Sequence, residues 1–586
     1  MLPSEKFFFS LLVLSLFGYL ILRTINVPIV GDEAATFFNY VNVNQFLPGI
    51  ARTNTNNHIL NSFLTIISCN LFGNTLLPLR LANLLSSLIY FGAVYAIGKR
   101  VENRLVRWSF YSALLFSTFL IEFFALSRGY GLSIAFLMAS LYYLFKVLEE
   151  GGRRYYLLCI SSISLATLAN LTLFNTLVIL TGFLLLISLL KQSIKENTTT
   201  WVIGSTSIVL LGALSLFYKS KGLLWYGGDD GFWCVTIATL SKSLFSNVLF
   251  PSIAVGIILV ASIVIVCVLF CNKNRDLLTL INAKYILIYI LFANIILTYC
   301  LALILGVNFP KERGALYFLP LIICAGAFAV NELAKFWKPY AILLLFLFYF
   351  PIHFFANANL SHSTYWPKEC LPVRFYDTIL KTDKTATIGG NRLHQYTWGY
   401  LNFIKGGELN HWQSRDYPSV LPDFQIIDLS DYPGSISRYT LLDFDSISNL
   451  SLVKHVNDTT VDSILSIQKN SFDNSQRYFS LFSFELDTID AKLTAFTVEF
   501  ELEGTSSSPF FKCELIVKVE NEKKELSIYE NYPLDWKITN FKGPISGRMY
   551  IPKTKTKGAT LSCFISNMNQ SSIRNLNSKI TLHKTN

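Results

Sequence analysis

Long apolar runs separated by short polar loops fill the first 356 positions, and from Asn357 onward no such run recurs. A lipid core calls for ~17–25 mostly apolar residues per helix, and the pattern predicts crossings at 5–23, 78–98, 108–126, 129–148, 155–171, 173–190, 201–218, 248–271, 285–306, 314–332 and 339–356. His58–Phe72 is shorter and carries Asn61 and Asn70, so it reads as a short crossing or as a helix lying in the interface. Residues 357–475 mix two periods. Val373–Lys381 and Leu393–Ile404 repeat as helices, whereas Thr385–Ile388 and Phe424–Leu429 read as short buried strands, which predicts a small α/β region. Residues 476–586 alternate at Tyr478–Leu486, Ala495–Leu502, Phe511–Val519, Lys524–Glu530, Ser546–Ile551, Ala559–Ile565 and Lys579–His583, which predicts a β-sandwich-like domain. The expected fold is an α-helical polytopic membrane domain over 1–356 followed by these two soluble regions.

Composition agrees: 15% of residues are charged, against about 25% in soluble chains. Charge also sets an orientation. If 58–72 does not cross, Lys99/Arg100/Arg104/Arg107, Lys146/Arg153/Arg154, Lys191/Lys195, Lys273/Arg275/Lys284 and Lys335/Lys338 all fall on one side. Basic loops face the cytoplasm, which predicts a cytoplasmic N-terminus and an extracytoplasmic C-terminal region. Only Lys6 precedes the first run, and no small-residue cleavage site follows it, so an uncleaved helix is expected rather than a signal peptide. The net charge of +11 is spread through these loops and forms no arm for nucleic acid. Ten cysteines are scattered without a CxxC or CxxH pair, which argues against metal-cluster or redox chemistry. Cys513 and Cys563 could form a disulfide if the tail is extracytoplasmic.

With this orientation the outer face collects the polar residues that carry chemistry. The first outer loop, from about 24 to 77, brings Asp32, Glu33, Arg52, Asn54 to His58 and Arg80. The turn after the third crossing brings Glu122, Ser127, Arg128 and Tyr130. Loop 219–247 brings Trp225, Tyr226, Asp229, Asp230 and Trp233, and the loop before 314 brings Lys311, Glu312 and Arg313, with Tyr317 one turn later. Ionisable groups at membrane depth usually serve function, yet each has a plainer reading. Arg128 and Arg313 could snorkel from helix ends, Glu122 could neutralise Arg128, Asp32 could cap the helix that follows it, His58 could cap its own helix, and the aromatics could form an interfacial belt. Their convergence on one face favours function.

Five segments then form a set in order along the chain: Gly31-Asp32-Glu33-Ala34, Asn57-His58-Ile59-Leu60, Leu79-Arg80-Leu81-Ala82, Ser127-Arg128-Gly129-Tyr130-Gly131-Leu132, and Lys311-Glu312-Arg313 through Leu319-Pro320. The set resembles GT-C type membrane glycosyltransferases, in the branch of protein O-mannosyltransferases and the lipid A aminoarabinose transferase. One departure is that Ile59 follows His58, where the family often has proline. The resemblance implies transfer of a sugar from a polyprenyl-phosphate carrier to a protein, lipid A or polysaccharide acceptor, outside a bacterial inner membrane. It implies Asp32 as general base with Glu33 in support, and Arg128, Arg313, Tyr130 and His58 on the donor phosphate. Glu122, Arg80, Lys311, Tyr317, Trp225, Tyr226 and Trp233 are expected to support the site. A single displacement would invert the anomeric centre. No cofactor is implied, although Asp32, Glu33 and Glu122 could supply oxygen ligands to a divalent metal. A transporter or flippase would show repeated halves and broken mid-membrane helices, and no repeat is visible. An O-antigen ligase-type protein would share the donor but lack an early acidic pair.

Overall fold

The computed structural model describes residues 3–245, 255–256, 259, 281–282, 285–414, 422–428, 430, 439–456, 461–486, 494–506, 513–534, 545–554, 557–568, 570 and 572–585. The expected crossing 248–271, the basic positions Lys273, Arg275 and Lys284, and Cys267 and Cys271 lie outside them. The chain forms two compact units, Met1–Val27 with Phe46–Tyr365, and Pro28–Gln45 with Trp366–Asn586.

The helices in chain order are α1 Pro3–Asn26, α2 Gly31–Thr36, α3 Ile59–Phe72, α4 Leu76–Gly98, α5 Arg104–Phe116, α6 Thr118–Glu122, α7 Gly129–Glu149, α8 Arg153–Ala169, α9 Phe174–Leu190, α10 Thr198–Ser220, α11 Ala238–Phe245, α12 Ile286–Leu305, α13 Phe318–Phe336, α14 Tyr349–Asn357, α15 Val373–Thr382 and α16 Gln395–Ile404. Among the described residues, eight helical segments are long and apolar enough to cross a bilayer, or nine if the bent pair 104–125 counts as one. That pair bends by 45° at Ser117, whose ψ of 101° leaves the helical region, so the expected crossing 108–126 is a broken one. Helix α8 has 17 residues and begins on two arginines, and α3 has 14, short of a bilayer's thickness. The apolar window within Glu312–Phe336 is wholly buried inside the unit. A helix apolar on every face belongs at the centre of a bundle.

Polar side chains tie the helices where backbone groups lack partners. The first four N–H groups of a helix have no intrahelical acceptor; Asn103 meets two of them at α5, accepting from Leu105 and Val106. The Asn83 side chain accepts from the Leu132 amide in the first turn of α7 and donates to Asn61 on α3 at 2.6 Å.

In the second unit, strands β1 (Ile388–Gly390), β2 (Trp412–Ser414), β3 (Phe424–Asp428), β4 (Tyr439–Asp445) and β5 (Leu450–His455) form a sheet of order β2-β1-β3-β5-β4. Its first three strands run parallel and the rest antiparallel. Every residue of β3 is buried, as in a strand covered on both faces. Strands β6 (Val461–Asn474), β7 (Tyr478–Glu485), β8 (Thr494–Ser506), β9 (Cys513–Glu520), β10 (Leu526–Pro533), β11 (Ile545–Thr554), β12 (Thr560–Asn567) and β13 (Ile573–Thr585) form two antiparallel sheets, β10-β9-β12-β7 and β11-β8-β13-β6. Their inward residues, among them Leu481, Phe496, Val517, Leu561 and Leu582, share one core. Strand β6 has no counterpart among the strands expected from alternation.

Cys513 and Cys563 are buried and form no disulfide with each other, which corrects the pairing that an extracytoplasmic tail would allow. Cys513 pairs in register with Asn567, and Cys563 pairs with Val517. Four residues of register separate them by about 13 Å along the strands, beyond disulfide reach.

Candidate functional site

In the second unit the acidic motif builds α2. Its N-cap is Val30, so Asp32 lies inside the first turn and is not the cap that one reading allowed. Glu33 is fully buried, and its carboxylate accepts from the Val30 amide at 3.3 Å, closing the turn back on itself. The Gly31 amide donates to Glu369 at 2.8 Å, and Phe37 sets its ring edge against Tyr400 and Phe403 of the α16 region. The acidic motif therefore packs with chain that begins more than three hundred residues later. Asp32 is half-buried, whereas Glu33 is sealed, so the two adjacent acids differ in access to solvent.

In the first unit, Arg128 stands just before α7. Its Nη2 donates to Asn56 Oδ1 at 2.6 Å, and its guanidinium lies 5.8 Å from the Tyr130 ring centre. The His58 ring stands edge-on to Tyr130 at 4.8 Å, and its Nδ1 lies 2.8 Å from the Ala169 carbonyl. A carbonyl only accepts, so Nδ1 carries the proton and the tautomer is set. His58 occupies the N-cap position of α3, but its side chain makes no cap bond. Gly129 permits this packing: a Cβ there would sit 2.1 Å from the Ala169 oxygen and 2.6 Å from His58.

A second group surrounds Tyr226. Its hydroxyl donates to Glu312 at 2.8 Å, while Lys311 and Arg313 lie 4.9 and 5.5 Å from the ring centre. Cations over a tyrosine face are held by its quadrupole. Burial raises the Tyr226 hydroxyl above its ordinary pKa, against the pull of Arg313, so it stays a neutral donor. Gly228 and Phe309 exchange two backbone bonds, Asn308 holds the Trp225 carbonyl, and Thr236 bonds to Pro310. These contacts lock loop 225–233 against 308–313. The two groups adjoin: Thr55, next to Asn56, donates to the carbonyl of Leu223, at the start of the loop that carries Tyr226. The structure thus brings together Arg128, Tyr130, His58, Tyr226, Lys311 and Arg313.

Glu122, Arg80 and Tyr317, also expected at the site, are buried. Glu122 does not neutralise Arg128. It is buried with Arg23 at 3.1 Å and also accepts from Ser363 at 2.6 Å and the Thr364 amide at 3.0 Å. The partner Arg23 also donates to the carbonyls of Asn359 and His362. Arg80 is fully buried and donates to the carbonyls of Thr24 and Val27, beyond the last turn of α1 and at its end. Tyr317 is buried, its ring centre 4.4 Å from that of Phe318. Trp225 is 69% exposed and Trp233 41%, so both offer ring faces outward. Among the described residues, no three His, Cys, Asp or Glu side chains converge as metal ligands. Sequence reasoning missed Arg23 and Glu369. Arg23 had one visible signal, a cation in the last turn of an apolar helix.

Residues 57–217 match the family described as dolichyl-phosphate-mannose-protein mannosyltransferase, a stretch that contains His58, Arg80, Glu122, Arg128 and Tyr130. No curated protein sequence matches the chain. Among solved structures, the chain is similar to ArnT from Cupriavidus metallidurans bound to undecaprenyl phosphate, with 11% identity over 78% of this chain and 99% of that one and a TM-score of 0.44. It is also similar to the arabinosyltransferase EmbB from Mycobacterium smegmatis, with 10% identity over 100% of this chain and 65% of that one and a TM-score of 0.39.

Proposed function

From a chain whose residues 57–217 carry a domain of the dolichyl-phosphate-mannose-protein mannosyltransferase family of membrane glycosyltransferases, we propose transfer of a sugar from a polyprenyl-phosphate donor to an acceptor on the extracytoplasmic face. The observation that carries this reading is the cluster of Arg128, Lys311 and Arg313 about Tyr130 and Tyr226. Guanidinium groups hold phosphate through fixed, multidentate donors. Here they would stabilise the charge that builds as the anomeric C–O bond to phosphate breaks. The acceptor hydroxyl or amine attacks the anomeric carbon, its proton passes to Asp32, and the lipid phosphate leaves. One such displacement inverts the centre. His58 and Gly129 act indirectly, by fixing the ring of Tyr130. Exposed Trp225 and Trp233 offer faces on which a sugar ring can stack. The basic loops support a cytoplasmic N-terminus, and the resemblance to the lipid A aminoarabinose transferase branch supports a bacterial inner membrane. Protein, lipid A and polysaccharide are all acceptors compatible with this chemistry.

The test uses purified protein in detergent with a labelled polyprenyl-phosphate sugar and a panel of acceptors. Asp32→Asn should lower transfer by about 10²–10⁴-fold, the usual contribution of a positioned base, with insertion and unfolding midpoint unchanged. Full activity in that variant would remove Asp32 from the mechanism. Unaltered donor affinity in Arg128→Ala would return Arg128 to a structural role.

A further inference from the structure

We infer that the membrane unit binds an anionic phospholipid headgroup in a cavity at its basic end, formed by the ends of α1, α4 and α7. The cavity measures about 460 Å³ and is lined by Lys6, Lys99, Arg100, Lys146 and Glu149, with Tyr95 and Tyr142. Four cations therefore face one carboxylate, and that carboxylate is already engaged. Arg100 binds Glu149 through two hydrogen bonds of 2.6 and 2.7 Å. Lys146 pairs with Glu150, outside the lining. The nearby Glu5 carboxylate pairs with Arg104 and Arg107, and Glu102 pairs with Lys335. Among the described residues, Lys6 and Lys99 have no carboxylate within ion-pair distance, so two ammonium charges are left over a pocket with no counter-ion.

The pocket is also shaped for an anion. The Arg100 guanidinium lies 5.5 Å from the Tyr142 ring centre and 5.1 Å from that of Phe145, which orients it. All three contributing helices meet the length and hydropathy of bilayer spans, so the cavity opens where headgroups lie. Immediately after Lys6, α1 exposes Phe7, Leu11 and Leu14, which follow one helical face. Acyl chains can run along this stripe while the phosphate sits among the cations. Basic pockets between spans on the cytoplasmic side suit anionic headgroups. A free phosphate would use the same cations but not the stripe, and a charge that serves only as an orientation signal needs no cavity.

Native mass spectrometry of the full chain in detergent, titrated with phosphatidylglycerol, phosphatidylcholine or inorganic phosphate, tests the assignment. Phosphatidylglycerol should bind more tightly than phosphatidylcholine. The double variant Lys6→Gln/Lys99→Gln should weaken phosphatidylglycerol by roughly twentyfold, at about fivefold per cation near the surface, and leave phosphatidylcholine unchanged. Lys338→Gln, at the same basic end but outside the cavity, should change it by less than twofold on the order of ordinary screening of exposed charge. Equal phosphatidylglycerol affinity in wild type and double variant, an equal loss in Lys338→Gln, or full displacement by equimolar inorganic phosphate would each overturn the proposal. Transfer activity of the double variant is expected to remain.

Discussion

The Arg23–Glu122 pair separates scaffold from chemistry in this site. Both side chains are 2% exposed, and one carboxylate oxygen accepts from Arg23, Ser363 and the Thr364 amide. Arg23→Met leaves that carboxylate buried with two neutral donors. Breaking a buried pair from one side costs about 3–5 kcal/mol. Glu122→Gln keeps an acceptor oxygen, while Arg23 keeps the carbonyls of Asn359 and His362; the loss is then that of charge-assisted bonds, about 1.5–3 kcal/mol. The double variant removes both charges, so its cost should fall below the sum of the singles by about 1–3 kcal/mol of coupling. Unfolding of detergent-solubilised protein, followed by intrinsic fluorescence, should place the double variant's midpoint above the value obtained by adding the two single losses. Transfer should survive in folded Glu122→Gln. Complete loss of transfer at an unchanged midpoint would refute the reasoning and make Glu122 a chemical group.

Gly129→Ala should destabilise by about 1–3 kcal/mol, as overpacking does, and weaken donor binding more than turnover, because its Cβ would displace His58 and the Ala169 carbonyl; separate KM and kcat measurements check this. Cys513 and Cys563 should resist a maleimide in the folded protein and both react after denaturation, whereas exposed Cys234 should react at once. Burial lowers His394 to about 4, so the folded unit holds it neutral. The unfolded chain takes up that proton first, so stability should fall as pH drops from 6.5 toward about 4, by about 3 kcal/mol at most. Denaturant midpoints should show this slope, and His394→Gln should flatten it.

Much of the architecture is readable from local pattern. Apolar length marks the spans because a bilayer leaves no partner for backbone groups outside a helix. Alternation marks most sandwich strands because one face must meet a core. Arg128, Lys311 and Arg313 stood out because charge at a helix end in a membrane chain is costly. The break at Ser117 was not legible, since 108–126 holds no proline or glycine to mark it.

What the sequence by itself determined is which residues could do chemistry and which apolar segments could cross a bilayer. Partnership belongs to the tertiary structure alone. Helix rotation turns Glu122 toward Arg23, ninety-nine residues away, and not toward neighbouring Arg128. The end of α1 claims Arg80 because its last carbonyls need donors. Glu369 and Tyr400 hold the acidic helix, so half-buried Asp32 and sealed Glu33 part in exposure although they are adjacent in sequence. Short-range pattern fixes periodicity and burial, but the direction of a buried charge depends on whichever distant group satisfies it.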